Sequence, residues 1–156
     1  MNKKNVLISA CLLGVNCRYD GKSVPMEQPE LLMEKVHLIP ICPEILGGLS
    51  IPRKPAERVG NRVINNAGED VTEYFNQGTE EVLRLARLYG CKSAILKERS
   101  PSCGYGKIYD GTFSHTVIDG SGILAEGLEQ EGIRVYGEND MERFFRDYSE
   151  AESTET

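Results

Sequence analysis

The chain has 156 residues, 40% of them hydrophobic, which suits one domain built around one hydrophobic core. Its formal net charge of −6 argues against a general nucleic-acid binder or a membrane-surface protein, because both need a basic face. No apolar run is long enough to span a bilayer and no signal peptide is evident, so we expect a cytoplasmic protein whose five cysteines are free, metal-bound or catalytic.

Strand and helix patterns alternate along the chain. In order, the sequence predicts a strand at Lys4–Ala10, a helix at Glu27–Lys35, a strand at Val36–Ile41, a helix at Val71–Tyr89, a strand at Ser93–Lys97, a helix at residues 123–131, a strand at Ile133–Tyr136 and a helix at Asp140–Tyr148. This alternation indicates an α/β fold. We expect a single Rossmann-like three-layer domain over residues 1–148, with a mostly parallel sheet, and a disordered acidic tail over residues 149–156.

Three cysteines stand at the carboxyl ends of three predicted strands. Cys11 follows the first, Cys42 follows the second, and Cys103 follows the third within a Ser-Pro-Ser-Cys-Gly turn. Because these strand ends gather at one edge of an open parallel sheet, where ligands bind, we expect the three sulfurs to meet. Thiolates suit soft metals and iron–sulfur clusters, and three of them leave a position open on a four-iron cluster or a catalytic zinc ion.

Two other interpretations of the cysteines remain open. Cys103, close in sequence to Arg99, could be a nucleophile, but no histidine is an obvious partner. We expect His37 to be a packed strand residue and His115 to be a solvated loop residue. The cysteines could also be small hydrophobic residues at strand ends, which is the commoner role of a lone cysteine.

The remaining cysteines and a nearby carboxylate are harder to assign. Cys91 is interpreted as structural, whereas Cys17 could be an alternative ligand, a redox partner or a pocket residue. Glu44, two residues after Cys42, could serve as a general acid or base if burial raises its pKa, or it could lie on the surface.

Polar side chains near the strand ends are candidates to line a site. Arg18, Tyr19 and Asp20 offer a planar cation, an aromatic wall and a hydrogen-bond acceptor, which suit a flat polar heterocycle. Ser100 and Ser102 could bind cluster sulfur or substrate, or they could only stabilise the turn.

Taken together, the motifs of residues 5–136 are similar to those of the thiouracil desulfidases, a family of short bacterial proteins long classed as a domain of unknown function. The resemblance is carried by Ile8–Gly14, Cys17–Gly21, Pro40–Glu44, Pro52-Arg53, Asp70–Thr72, Lys97–Gly104 and Ile108–Phe113. It implies an oxygen-sensitive 4Fe-4S cluster held by Cys11, Cys42 and Cys103, with a free fourth iron that takes sulfur from a thiolated base such as 2-thiouracil. The products would be uracil and sulfide, without net redox change.

The same resemblance assigns roles by motif position: Glu44 would transfer protons and Ser100 would be a polar helper at the pocket. We expect a small-molecule thiolated heterocycle as the binding partner, with no nucleic-acid polymer and no membrane; the oligomeric state cannot be predicted. A cluster-binding module without catalysis, such as a sensor or a sulfur carrier, is the alternative of a different class. Protein prepared in air could lack the cluster, hold zinc or contain oxidised cysteines.

Overall fold

The computed structural model describes residues 3–154. In chain order its elements are β1 (Lys4–Ser9), a 3-10 helix (Ala10–Leu13), α1 (Pro29–Met33), β2 (Val36–Ile41), α2 (Pro43–Leu46), β3 (Ala56–Val59), β4 (Arg62–Asn65), α3 (Thr72–Tyr89), β5 (Ser93–Leu96), β6 (Lys107–Tyr109), β7 (Val117–Asp119), α4 (Ile123–Gln130), β8 (Arg134–Gly137) and α5 (Met141–Thr154). The central sheet has four strands in the order β2-β1-β5-β8, and every pairing in it is parallel. The predicted α/β class with a mostly parallel sheet is therefore confirmed, and β3-β4 and β6-β7 add two antiparallel hairpins outside the sheet.

Two hydrophobic cores cover the two faces of the sheet. On β1, Leu7 packs into the core formed with α3 and α4, whereas Val6 and Ile8 pack into the core that includes Leu32 of α1 and Phe144 of α5. Successive residues of a strand point to opposite faces, so a continuous apolar run is buried on both sides only when helices cover both. The result is the predicted three-layer arrangement.

Several local predictions differ from the structure. His37 is exposed, because β2 is an edge strand, so its prediction as a packed residue is wrong. The pattern of the helix predicted at Glu27–Lys35 turns Leu31 and Leu32 inward; Leu32 is buried, but Leu31 is 51% exposed. Asp70 and Glu73 have the sequence spacing of a capping-box variant, but the box does not form, because α3 begins after Val71 and has no side-chain cap.

The ends of some elements also differ. The apolar, glycine-containing stretch at residues 45–49 predicts a flexible loop, but its first two residues belong to the short helix α2. The last helix continues to Thr154, beyond its predicted end at Tyr148. Residues 155–156, the end of the predicted tail, lie outside the described residues.

Helix α2 lies unusually close to α3 because glycines face each other at the contact. A Cβ atom on Gly78 would lie 1.9 Å from the carbonyl oxygen of Pro43, and one on Gly47 would lie 1.9 Å from that of Tyr74. No side chain fits at such distances. The contact fixes α2, and with it Glu44, against the long helix.

Replacing Gly78 with Ala should therefore destabilise the fold. We expect Gly78→Ala to lower the free energy of unfolding by about 1–3 kcal/mol, the usual cost of overpacking. Urea denaturation followed by circular dichroism measures this change. Asn76→Ala, at an exposed position of the same helix, is the control, and equal midpoints for the two variants would contradict the packing argument.

Candidate active site at the carboxyl edge of the sheet

The three strand-end cysteines line one cavity of about 760 Å³. Cys11 lies in the 3-10 helix after β1, Cys42 immediately precedes α2, and Cys103 lies in the turn after β5. All five cysteines of the chain are free thiols. The cavity volume falls in the range of small-molecule sites. The structure thus brings the three thiols to one place, and their role as ligands stays a prediction.

Cys17 adds a fourth thiol to this cavity. It is buried, lines the cavity and packs in the same apolar cluster as Cys11 and Cys42. Interaction of the Cys17 thiol with the Cys11 sulfur, as donor to it, is the main cause that raises the pKa of Cys17. The hydrogen bond with Cys17, followed by burial, raises the pKa of Cys42, whose Sγ also lies 3.8 Å from the Cys17 carbonyl oxygen. Cys17 is therefore a pocket residue packed against two of the candidate ligands.

The Ser-Pro-Ser-Cys turn is fixed from within and from α4. The Ser100 hydroxyl accepts the backbone N–H groups of Ser102 and Cys103, each at 3.1 Å. The first turn of α4 has N–H groups without partners inside the helix, and Leu124 donates one of them to the Ser102 carbonyl at 2.9 Å. Gly122 permits this approach, because a Cβ there would lie 2.4 Å from the same carbonyl. Cys103 is thus held in a rigid turn.

Glu44 is the centre of a hydrogen-bonded chain. Its Oε2 accepts the Ser102 hydroxyl at 2.9 Å, and the Ser102 and Ser100 hydroxyl oxygens are 2.9 Å apart. Each hydroxyl has a single hydrogen, so when Ser102 donates to the carboxylate, Ser100 must donate to Ser102. The chain runs from Ser100 through Ser102 to Glu44.

Arg53 holds the other oxygen of this carboxylate, a contact that the sequence did not predict. Its Nε donates to Glu44 Oε1 at 3.0 Å, and its other nitrogens donate to the carbonyls of Cys17 and Ser50 at 3.0 and 3.2 Å. The side chain is only 7% exposed. In the sequence Arg53 lies in a basic, proline-rich loop, and its place in the Pro-Arg motif is the only signal that marks it.

Not all of the predicted substrate-binding residues lie at the cavity. Arg18 and Tyr19 line the cavity, and the Arg18 guanidinium lies 5.5 Å from the centre of the Tyr19 ring. Asp20 is exposed, closes a turn by accepting the N–H of Lys22 at 3.0 Å, and does not line the cavity. Ser102 is buried, and its hydroxyl is engaged with Glu44.

A second missed residue, Glu57, fixes the loop between β6 and β7 over the cavity. The Glu57 side chain is buried, and its Oε1 accepts the N–H groups of Gly111 and Phe113 at 2.9 and 3.1 Å. Phe113 and His115 line the cavity with left-handed backbone (φ 58° and 61°). Strained residues of this kind concentrate at functional sites. His115, predicted to be a solvated loop residue, is exposed but also lines the cavity.

The donor atoms suit an iron–sulfur cluster. Within residues 3–154, no three Cys, His, Asp or Glu side chains are arranged to hold a metal ion. The candidate ligands are all thiols, and they surround a shared cavity instead. Soft thiolates suit iron–sulfur clusters, and a cluster of several irons fills more space than one ion. The residues present therefore fit a polynuclear iron–sulfur group.

The fold and the site define an α/β protein with a thiol-lined cavity at the carboxyl edge of a parallel sheet. The chain belongs to the 2-thiouracil desulfurase family, whose sequence profile matches residues 6–140, and it is accordingly an enzyme that acts on a carbon–sulfur bond. It is 42% identical over 146 residues to the uncharacterized protein YbbK of Bacillus subtilis (strain 168), covering 87% of this chain and 97% of that relative. Its fold matches a [4Fe-4S]-dependent thiouracil desulfidase, TudS, with a TM-score of 0.89 and 40% identity, over 94% of this chain and 99% of that one.

Removing the Glu57 carboxylate should loosen the loop over the cavity. We expect Glu57→Ala to speed hydrogen exchange at the Gly111 and Phe113 amides by about tenfold or more, because a hydrogen bond to a charged group contributes about 1.5–3 kcal/mol. Mass spectrometry or NMR can follow these amides. Glu73→Ala, exposed on α3, is the control, and equal protection in both variants would mean that Glu57 does not hold the loop.

Proposed function

We propose that this protein removes sulfur from a thiolated pyrimidine, converting 2-thiouracil to uracil and sulfide without net redox change. The observation that carries the proposal is the meeting of Cys11, Cys42 and Cys103 with the Glu44 carboxylate at one cavity. Membership of the 2-thiouracil desulfurase family and likeness to a [4Fe-4S]-dependent thiouracil desulfidase support it.

We assign Cys11, Cys42 and Cys103 as ligands of a 4Fe-4S cluster. When bound, such a cluster supplies an open, soft Lewis-acid iron suited to a thiocarbonyl sulfur. Burial raises the pKa of the Cys103 thiol to about 12, so in the free protein this side chain carries its proton at neutral pH. Binding to a positively charged iron would favour the thiolate form of Cys103.

Glu44 has the position of a general base. Its carboxylate can take a proton from the water that attacks the thiocarbonyl carbon, and it can then pass that proton to the heterocycle. Arg53 and Ser102 each hold one of its oxygens, which fixes the carboxylate for proton transfer. Ser100 ends the hydroxyl chain, where it can orient water or substrate.

Arg18 and Tyr19, on the cavity wall, are proposed to contact the flat ring of the substrate. No helix within residues 3–154 has the length and apolar character needed to cross a bilayer. The cytoplasmic location and the absence of a nucleic-acid partner stay predictions.

The ligand assignment predicts a selective loss of iron. Cys11→Ala, Cys42→Ala and Cys103→Ala, purified without oxygen, should each lose most of their iron, sulfide and visible absorption, because a cluster held by two thiolates is readily lost. Cys91→Ala is the matched control, since Cys91 is also buried but does not line the cavity. Full iron content in any of the three variants would remove that residue from the ligand set.

The role of Glu44 separates an enzyme from a sensor or a sulfur carrier. We expect Glu44→Gln to keep its iron and sulfide but to release sulfide from 2-thiouracil about 10²–10⁴-fold more slowly, the usual contribution of a positioned acid or base. Glu30→Gln, exposed on α1, serves as the control. A Glu44→Gln protein with normal turnover would make this catalytic assignment wrong.

A further inference from the structure

Residues 17–22, which we call the substrate loop, carry the proposed ring-binding side chains of Arg18 and Tyr19. The loop closes on itself: the Arg18 N–H donates to the Lys22 carbonyl at 3.1 Å, and the Gly21 N–H donates to the Arg18 carbonyl at 2.9 Å. These bonds shape the loop but do not fix its distance from the rest of the cavity. Contacts with other segments of the chain must do so.

Arg53 supplies two such contacts, one from its backbone and one from its side chain. Its backbone N–H donates to the Tyr19 carbonyl at 2.8 Å, and its guanidinium donates to the Cys17 carbonyl at 3.0 Å. These two carbonyls belong to the residues on either side of Arg18. The substrate loop is therefore held at the segment that carries both proposed ring-binding side chains.

The same guanidinium contacts the proposed general base. Arg53 Nε donates to Glu44 Oε1 at 3.0 Å, and a further nitrogen donates to the Ser50 carbonyl at 3.2 Å. A guanidinium is planar and rigid, so the groups that its different nitrogens bind keep a nearly fixed spacing. One side chain thus joins the substrate loop to the Glu44 carboxylate.

The burial of Arg53 suits this role. Its side chain is 7% exposed, whereas that of the adjacent Lys54 is 58% exposed and pairs with Glu69. Removing a guanidinium from water is costly unless its donors find acceptors, and each of the three nitrogens of Arg53 has one. A lysine at position 53 would supply the charge but not the fixed spacing.

Ser102 alone would leave Glu44 free to turn. Its hydroxyl donates to Oε2 at 2.9 Å, and a carboxylate held at one oxygen can rotate about that contact. The bond from Arg53 to Oε1 removes this freedom. A displacement of about 1 Å at a reacting centre can slow a reaction by about 10²-fold, so the orientation of this carboxylate matters for rate.

We propose that Arg53 is a positioning residue that acts through Glu44 and the substrate loop, keeping the carboxylate and the wall that receives the ring at one spacing. The inference rests on the proposed function for the roles of Glu44 and of the loop, whereas the link between them is a property of the fold. No proton transfer is assigned to Arg53.

The first test measures sulfide release from 2-thiouracil by Arg53→Lys, Glu44→Gln, the double variant and Arg62→Lys, each purified without oxygen. Arg62 is an exposed arginine paired with Asp70 outside the cavity, so Arg62→Lys is the matched control. We expect Arg53→Lys to lower kcat about 10–10²-fold. In the Glu44→Gln background the same change should lower kcat less than about twofold, because the carboxylate that Arg53 positions is gone. A merely structural role would give the same loss in both backgrounds.

The second test needs no turnover. Hydrogen exchange at the Arg18 and Gly21 amides of the substrate loop is compared in wild type, Arg53→Lys, Glu44→Ala and Arg62→Lys by mass spectrometry or NMR. We expect exchange about fivefold or more faster in Arg53→Lys and Glu44→Ala, the usual effect of one lost hydrogen bond, because each breaks the link at one end. Arg62→Lys should match wild type. If a variant loses its iron, all are compared after removal of the cluster.

Wild-type exchange rates in Arg53→Lys or in Glu44→Ala, or an equal kcat loss from Arg53→Lys in both backgrounds, would overturn the inference. A cluster-loaded wild-type protein without turnover would contradict the proposed function instead. The exchange rates would then decide this inference alone, with faster exchange in both variants supporting it.

Discussion

The site depends on the register of the parallel sheet. Strands β1 and β2 end at the same level, and β5 lies on the other side of β1. Ser9 is paired with Ile41, so the chain leaves both strands at the same level, and Cys11 and Cys42 follow within two residues. The pairing of Ile8 with Ile95 brings the end of β5 to the opposite side of β1. A one-residue slip of β1 would exchange the residues that fill the two cores, placing Leu7 where Val6 and Ile8 now pack. Burial of both faces therefore fixes not only the sheet but also the convergence of distant thiols.

The Arg53–Glu44 ion pair at the site is not explained by the apolar packing that stabilises the core. Removing Arg53 and Glu44 from water costs more than an average salt bridge returns, unless further hydrogen bonds satisfy both groups. Here each carboxylate oxygen has a donor, and the guanidinium also binds two carbonyls. Such a pair adds little to stability compared with apolar packing, but it fixes a carboxylate in one orientation beside the thiols. Its presence is better explained by chemistry than by folding.

The sequence predicts what local patterns encode and fails where partners are distant. Apolar runs ending in cysteine predict the strands and the shared edge, because burial on both faces leaves a continuous pattern. They cannot reveal strand order, which is why His37 was misassigned on an edge strand. Helix α2 is too short for periodicity to detect. Glu57 and Arg53 act through contacts with chain segments that no spacing rule connects to them.

Hydrogen-bond satisfaction indicates that the polar part of the site is organised before substrate arrives. Within the described residues, Thr79 Oγ1 is the buried side-chain nitrogen or oxygen without a partner, and it lies on α3, outside the cavity lining. Ser100, Ser102 and Glu44, by contrast, form a continuous hydrogen-bonded chain, and Arg53 donates to the other carboxylate oxygen. A network of this kind resists rearrangement, because breaking one bond leaves a buried group unpaired. Groups fixed in this way need no reorganisation during reaction, which is the condition under which dipoles and carboxylates contribute most to catalysis.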